Sequence, residues 1–258
     1  NEQASNMGLD PYFPTKSTVD TDWEKELRND NAPIINHKFS LSGGGEKSNF
    51  YISFGHIRQE GIYAKGHSNF ERLNARVNYN NTLLDVKARS WLNKVDLNII
   101  ASYAKSIYTG NTISNSEVGG LMTAIDVLPP TEPVYQINPD RLAEYELNYP
   151  NRVIAPNGQT YNIIEMREIT NPLADLQVNH NQKRIPQDFT ANVGLNVNIL
   201  PGLSFKTTYG AEWVFTNVRN VVPAYDLNAT TKNTSSWVQN DKTDSFFWQW
   251  DNVMSYNQ

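Results

Sequence analysis

From Asp188 to Phe215 the chain alternates. Phe189, Ala191, Val193, Leu195, Val197 and Ile199 are apolar, and Thr190, Asn192, Gly194, Asn196 and Asn198 lie between them. Side chains alternate across a strand, so this spacing predicts one oily and one polar face. Leu200-Pro201-Gly202 reverses the chain, since Pro sets one φ and Gly supplies a positive one. Leu203, Phe205, Tyr209, Ala211, Trp213 and Phe215 then resume the apolar set, with Thr207 its one weak member. The pattern predicts a long antiparallel hairpin.

The same alternation recurs along the chain. Ile35, His37, Phe39 and Leu41 precede a short turn at 43–48, and Phe50, Ile52 and Phe54 follow it. Leu73, Ala75, Val77 and Tyr79 form another set, and Val95, Leu97, Ile99, Ala101 and Tyr103 the next. Phe246, Trp248, Trp250, Met254 and Tyr256 close the series, interrupted by Asn252. About seven strands follow, read as an all-β, antiparallel up-and-down meander. Residues 1–32 are a polar lead-in with turns at Asp10-Pro11 and Phe13-Pro14, and WEKELR from Trp23 is expected to make a turn or two of helix. The connections at 109–186 and 221–243 are long. The first is expected to be a folded excursion with a small helix near Asp140 to Leu147. Long connections fall at one end of the sheet and short ones at the other.

Two architectures carry such strands. The first is part of a large transmembrane β-barrel with long extracellular loops. The second is a soluble surface β-sandwich that binds glycans or serves adhesion. Strands of about 11 residues, aromatics near strand ends and asymmetric loops favour the barrel. The two place Phe189, Val193, Leu195, Val197 and Phe205 oppositely: against lipid in the barrel, in a dry core in the sandwich.

Composition narrows the partners. The chain has 258 residues, a formal net charge of −5 and no cysteine, so disulfides and thiolate metal sites are excluded. No basic block exists, and nucleic acid is not an expected partner. Hydrophobic residues make up 39% without any run long enough for a membrane helix, which leaves a barrel untouched. Both ends read as cut, so the sequence is expected to be a segment of a longer protein.

The run Asn36 to Gly55 holds a strand ending in Ser42-Gly43-Gly44, then Glu46-Lys47, then a second strand. Gln59-Glu60-Gly61 and Arg72-Leu73-Asn74-Ala75-Arg76-Val77-Asn78 follow, with Thr21-Asp22-Trp23 ahead and Asn171-Pro172-Leu173-Ala174 late in the long loop. These motifs resemble the SusC/RagA family of TonB-linked outer-membrane transporters. The resemblance implies about seven strands of a barrel of about 22. It places the plug domain, the TonB box and the remaining strands outside this chain. It further implies import of glycans or peptides across the outer membrane of Bacteroidota, a SusD-like surface lipoprotein as lid, and energy from the TonB complex.

Candidate residues follow from the two faces. Arg72, Arg76, Asp96, Lys206, Glu212 and Asp251 are expected to face the lumen, as substrate path, plug contact or mutual pairs on a wet wall. Tyr135, Tyr145, Tyr149, Tyr161, Tyr225 and Trp237 are loop aromatics that either meet ligand or lid or fill the loops' own cores. His37, His56, His67 and His180 lack metal-ligand spacing. Gly43 to Ser48 lacks the order of a phosphate loop. No cofactor and no catalysis are expected; a hydrolase would need two close carboxylates in a cleft, such as Asp140 with Glu144, at a defined separation.

Overall fold

The computed structural model describes residues 18–86, 90–110, 115–116, 119–166, 169–179 and 181–257. The Asp10-Pro11 and Phe13-Pro14 turns and His180 lie outside the described residues.

The seven long strands are β1 (Ile34–Gly44), β2 (Ser48–Glu60), β3 (Asn69–Asp85), β4 (Lys94–Thr109), β7 (Lys183–Leu200), β8 (Leu203–Val222) and β11 (Trp237–Tyr256). They form one antiparallel sheet in the order β1-β2-β3-β4-β7-β8-β11, each strand beside its neighbour in the meander. The two-residue ladders β5 (Asn115–Ser116) with β6 (Gly119–Gly120), and β9 (Tyr225–Asp226) with β10 (Lys232–Asn233), belong to the long loops. Among the described residues β1 and β11 each pair on one side only, so the sheet is open at both edges, and no second sheet packs on it. The sandwich expectation is therefore not met: a sandwich needs two sheets face to face about 10 Å apart.

Strands run further than alternation alone indicates. β11 begins at Trp237 and β8 ends at Val222, so the loop expected over 221–243 contracts to 223–236. The segment Gln239 to Asp244 is polar on both faces, and it is ladder pairing with β8 that makes it a strand. Likewise β7 starts at Lys183, ahead of Pro186. Pairing with β4 skips from Lys105↔Gln187 to Tyr108↔Arg184, across the proline that has no N–H to donate. The loop expected over 109–186 thus contracts to 110–182. At the short-turn end Gly202 takes φ +77° between β7 and β8, a left-handed conformation that suits glycine.

The buried core does not lie in the sheet. It is built almost entirely at the long-loop end, from α1 (Trp23–Leu27), α2 (Leu121–Val127), α3 (Pro139–Asn148), α4 (Pro172–Asn179) and the segments between them. Trp23, Ala124, Leu128 and Ile164 form one cluster; Leu27, Ala64, Leu121 and Leu176 a second; Val153, Ala155, Tyr161, Ala174, Val178 and Leu227 a third. The sheet carries this loop body at one end and leaves both its faces open.

Candidate functional site

Register turns the alternation of single strands into bands across the sheet. Direct partners share a face, so each chain of partners is a row. One row reads Phe39, Phe54, Ala75, Tyr103, Phe189, Trp213, Phe246. Only Ala75 is not aromatic. Toward the short turns the next rows read Leu41, Ile52, Val77, Ala101, Ala191, Ala211, Trp248, and then Gly43, Phe50, Tyr79, Ile99, Val193, Tyr209, Trp250. Beyond them comes a mixed, uncharged row of Ser48, Asn81, Leu97, Leu195, Thr207 and Asn252, then Leu84, Val95, Val197, Phe205 and Met254. From the aromatic row to the turns, this face carries no charged side chain on any described strand. Five rows span about 27 Å along the strands, or roughly 20 Å of height at a 35–45° tilt. That approaches the apolar band of an outer-membrane barrel.

The band is uncovered. Phe39 is 64% exposed, Phe54 54%, Phe189 45%, Trp248 56% and Trp250 63%. An apolar surface this wide is not left to water by a soluble monomer. Its polar atoms are satisfied within the sheet: the Trp250 indole N–H donates to Thr207 Oγ1 at 2.8 Å, which gives a role to the one weak member of the apolar set. The Tyr103 hydroxyl donates to Gln187 Oε1 at 2.7 Å, at the boundary where polar rows begin. An amphipathic ring with its polar tip at an edge is the arrangement of an interfacial aromatic girdle.

The other face is polar. One row is Ser40, Ser53, Arg76, Ser102, Thr190, Glu212, Phe247; another holds Asn80, Asn98, Gly194, Thr208 and Asp251; a third holds Thr82, Asp96, Asn196 and Lys206. Arg72, opposite Ser106, lies on the same face. All six residues expected at the lumen therefore share one face, but no ion pair joins any of the six to another among the described residues. Asp96 is held by Thr82 Oγ1 at 2.7 Å and by Lys94 at 2.9 Å. Arg76 Nε donates to Asn78 Oδ1 at 3.1 Å. Carboxamides dominate the wall. Asn98 Nδ2 donates to Asn80 Oδ1, and Asn80 Nδ2 to Asn49 Oδ1 at 2.8 Å, a chain across three strands. A hollow of about 550 Å³ lies on this face, lined by Asn49, Asn80, Asp96, Asn192, Asn196 and Lys206 among others. The alternation showed the polar face; the carboxamide chain was readable only from the register.

Two of the sequence motifs clamp the loop body. Asp22 caps α1, its Oδ1 accepting from the Lys25 N–H at 3.0 Å, and Trp23 is buried with its indole N–H donating to Pro129 O at 3.3 Å. Asn171 is fully buried at the head of α4. Its Oδ1 accepts from the N–H groups of Leu173 and Ala174 at 3.1 and 3.4 Å. Its Nδ2 donates to Val134 O at 2.9 Å and Asn162 O at 3.2 Å. Pro172 starts the helix, where its missing N–H costs nothing, and Ala174 is 2% exposed, with room for little more than a methyl.

The loop aromatics divide. Tyr145 is fully buried, accepting from the Ile163 N–H at 3.2 Å and donating to Asn162 Oδ1 at 3.1 Å. Tyr161 is buried against Tyr135, ring centroids 5.2 Å apart, and burial, then Tyr135, push its phenol up to about 12. Tyr149 meets the Tyr145 ring edge-on at 5.8 Å, and Tyr225 packs on the same cluster as Tyr135. These side chains fill the loop body's own core, and Tyr145 and Tyr161 offer no surface to a ligand in this arrangement. Trp237 is not in a loop: it pairs with Val222 in the sheet and is 42% exposed. An aromatic pair missed by sequence reading, Phe70 and Tyr108, packs at 5.0 Å with its rings tilted by 42° on the polar face at its loop end, with Arg184 5.9 Å from the Tyr108 ring. Among the described residues no group of metal-ligating side chains assembles.

No protein-family model matches the chain. A curated relative, the TonB-dependent receptor P3 of Formosa agariphila, is 28% identical over 193 residues, which is 74% of this chain and 16% of that protein. The solved RagAB peptide transporter shares the fold with a TM-score of 0.54 at 15% identity, over 92% of this chain and 24% of the other. The RagAB peptide importer in its open-open state gives 0.54 at 18% identity, over 91% and 23%. The chain thus spans under a quarter of the length of each of these relatives. They are a receptor and transporters, not enzymes, in agreement with the expectation of no catalysis.

Proposed function

We propose that this chain, SusC/RagA-like in sequence and fold, forms part of the wall of an outer-membrane, TonB-dependent importer. The charge-free apolar band faces lipid, the carboxamide-lined polar face forms part of the lumen, and the loop body stands at the outer mouth. The observation that carries the reading is the set of cross-sheet apolar rows with nothing packed on them. Further strands pair with the open edges at β1 and β11 to close the barrel, because an unpaired edge in a membrane costs several kcal/mol per unsatisfied group. The loop body meets a surface lipoprotein lid. The substrate is a peptide or a glycan, taken up with energy delivered by the TonB complex through parts outside this chain. Arg72, Arg76, Asp96, Lys206, Glu212 and Asp251 line the passage or contact the plug, and the exposed portions of Tyr135, Tyr149, Tyr225 and Trp237 meet ligand or lid.

The test uses the full-length transporter in lipid nanodiscs. Single cysteines replace Phe189, Val193, Thr190 or Asn192, and a charged maleimide probes each. Cysteines at Phe189 and Val193 are expected to be protected and those at Thr190 and Asn192 to react. Equal labelling on both faces, or the reverse order, overturns the assignment.

A further inference from the structure

Above the aromatic row, on the same outward face, charges appear among apolar residues such as Leu73, Phe215, Ile107 and Ile185. All five Lys and Arg side chains of this face on the described strands, Arg58, Lys105, Lys183, Arg219 and Lys242, lie on the loop side of that row, at positions fixed by register. On β2 and β3 the charges are satisfied locally: Arg58 pairs with Glu60 at 3.3 Å and Glu71 with His56 at 2.9 Å. On β7, β8 and β11 they are not. Lys183 stands directly opposite Arg219, and Lys242, opposite Asn217, lies one row nearer the band on the next strand. All three are exposed, and none enters an ion pair among the described residues. Among the described residues the one outward acid near them is Asp244, two residues from Lys242.

Like charges directly opposite on a sheet are destabilising, and an anion seated between them relieves the repulsion. The row of Lys242 lies about 13 Å along the strand from the aromatic row, and that of Lys183 and Arg219 about 20 Å. With the strand tilt these become roughly 10 and 15 Å of height, and long basic side chains reach back toward the interface. The headgroup region begins at this level, just past the hydrocarbon.

Resting on the lipid-facing reading above, we propose that Lys183, Arg219 and Lys242 form a docking site for the phosphate of a phosphorylated lipid in the leaflet on the long-loop side. Arg219 supplies a planar fork that matches phosphate oxygens, and the two lysines supply point charges. Continuity with the apolar band selects a lipid over a free anion: acyl chains lie along Phe189, Trp213 and Phe246 while the phosphate sits between the cations.

The test compares the full-length transporter with its K183Q/R219Q/K242Q variant in nanodiscs of phosphatidylcholine doped with lipid A. Native mass spectrometry counts retained lipids of each kind. The variant is expected to lose lipid A retention at least fivefold while phosphatidylcholine is unchanged, and Lys183→Arg with Lys242→Arg is expected to restore it. Unchanged lipid A retention, or equal loss of both lipids, overturns the proposal. The maleimide experiment is the separate control: protected Phe189 and Val193 positions with unaltered lipid A counts sink the phosphate site alone, whereas reactive positions sink the lipid-facing reading.

Discussion

Asn171 offers the sharpest perturbation of the loop body. Its carboxamide does two jobs with its two ends. Oδ1 caps α4 through the Leu173 and Ala174 N–H groups, and Nδ2 ties the Val134 and Asn162 carbonyls together. Asn171→Ala removes both. Loss of the cap costs about 1 kcal/mol. Val134 O keeps the Asn162 N–H at 3.0 Å, whereas Asn162 O loses its donor, at a cost of roughly 1–3 kcal/mol, partly relieved if water enters the space. The sum is about 2–4 kcal/mol, taken from the local stability of the loop body and not from the barrel. Hydrogen exchange on the full-length protein measures it: amides of Val153 to Val178 are expected to exchange at least about thirtyfold faster, with β7 and β8 unchanged. Asn171→Asp separates the two roles, because it keeps the capping oxygen and turns a second oxygen toward the carbonyls. It is expected to be at least as damaging as Ala. Wild-type protection in Asn171→Asp refutes the two-ended account.

Three further outcomes follow from the geometry. Val193→Arg, in the middle of the apolar band, is expected to cost about 2–4 kcal/mol, whereas Thr190→Arg on the polar face costs little; urea unfolding of the refolded full-length barrel in lipid checks the pair. Tyr161 has a folded-state pKa of about 12, above the usual value of about 10 for an unfolded tyrosine. The stability it contributes is therefore full below pH 10 and is lost as pH rises from 10 through 12; loop-body exchange across that range is expected to accelerate in the wild type and to do so less in Tyr161→Phe. Gly202→Ala places a side chain in a left-handed turn and against the Asn257 carbonyl, and is expected to lower the refolding yield, while Ala at Gly45, where a Cβ meets nothing, leaves it unchanged.

Burial also pushes the His67 imidazole below its ordinary value. The unfolded chain then takes up the proton first, so the segment around Tyr63 to Asn69 is expected to lose protection as pH falls below about 6.5. His67→Gln is expected to flatten that dependence in the same exchange experiment.

The sequence by itself determined which residues share a face. A period of two leaves no choice once a strand forms, so Phe189 and Val193 had to oppose Thr190 and Asn192, and Arg76 and Glu212 had to fall among the polar set. It determined the tight reversal at Pro201-Gly202, a local matter of φ. It also held the motifs at Thr21-Asp22-Trp23 and Asn171-Pro172-Leu173-Ala174, but not their purpose. Buried donors reveal themselves only when Pro129 and Val134, far away along the chain, come close. The ends of β7, β8 and β11 were hidden for a related reason: Gln239 to Asp244 has no alternation of its own and is a strand because β8 offers it a ladder. The loop tyrosines were equally undecided, since a Tyr that stacks on ligand and a Tyr that fills a core have the same one-dimensional surroundings. Above all, register belongs to the tertiary structure. Alternation places Tyr103, Phe189, Trp213 and Phe246 on one face of their own strands. Hydrogen bonds between strands set them at one height, and they also bring Lys183 beside Arg219 with no acid between.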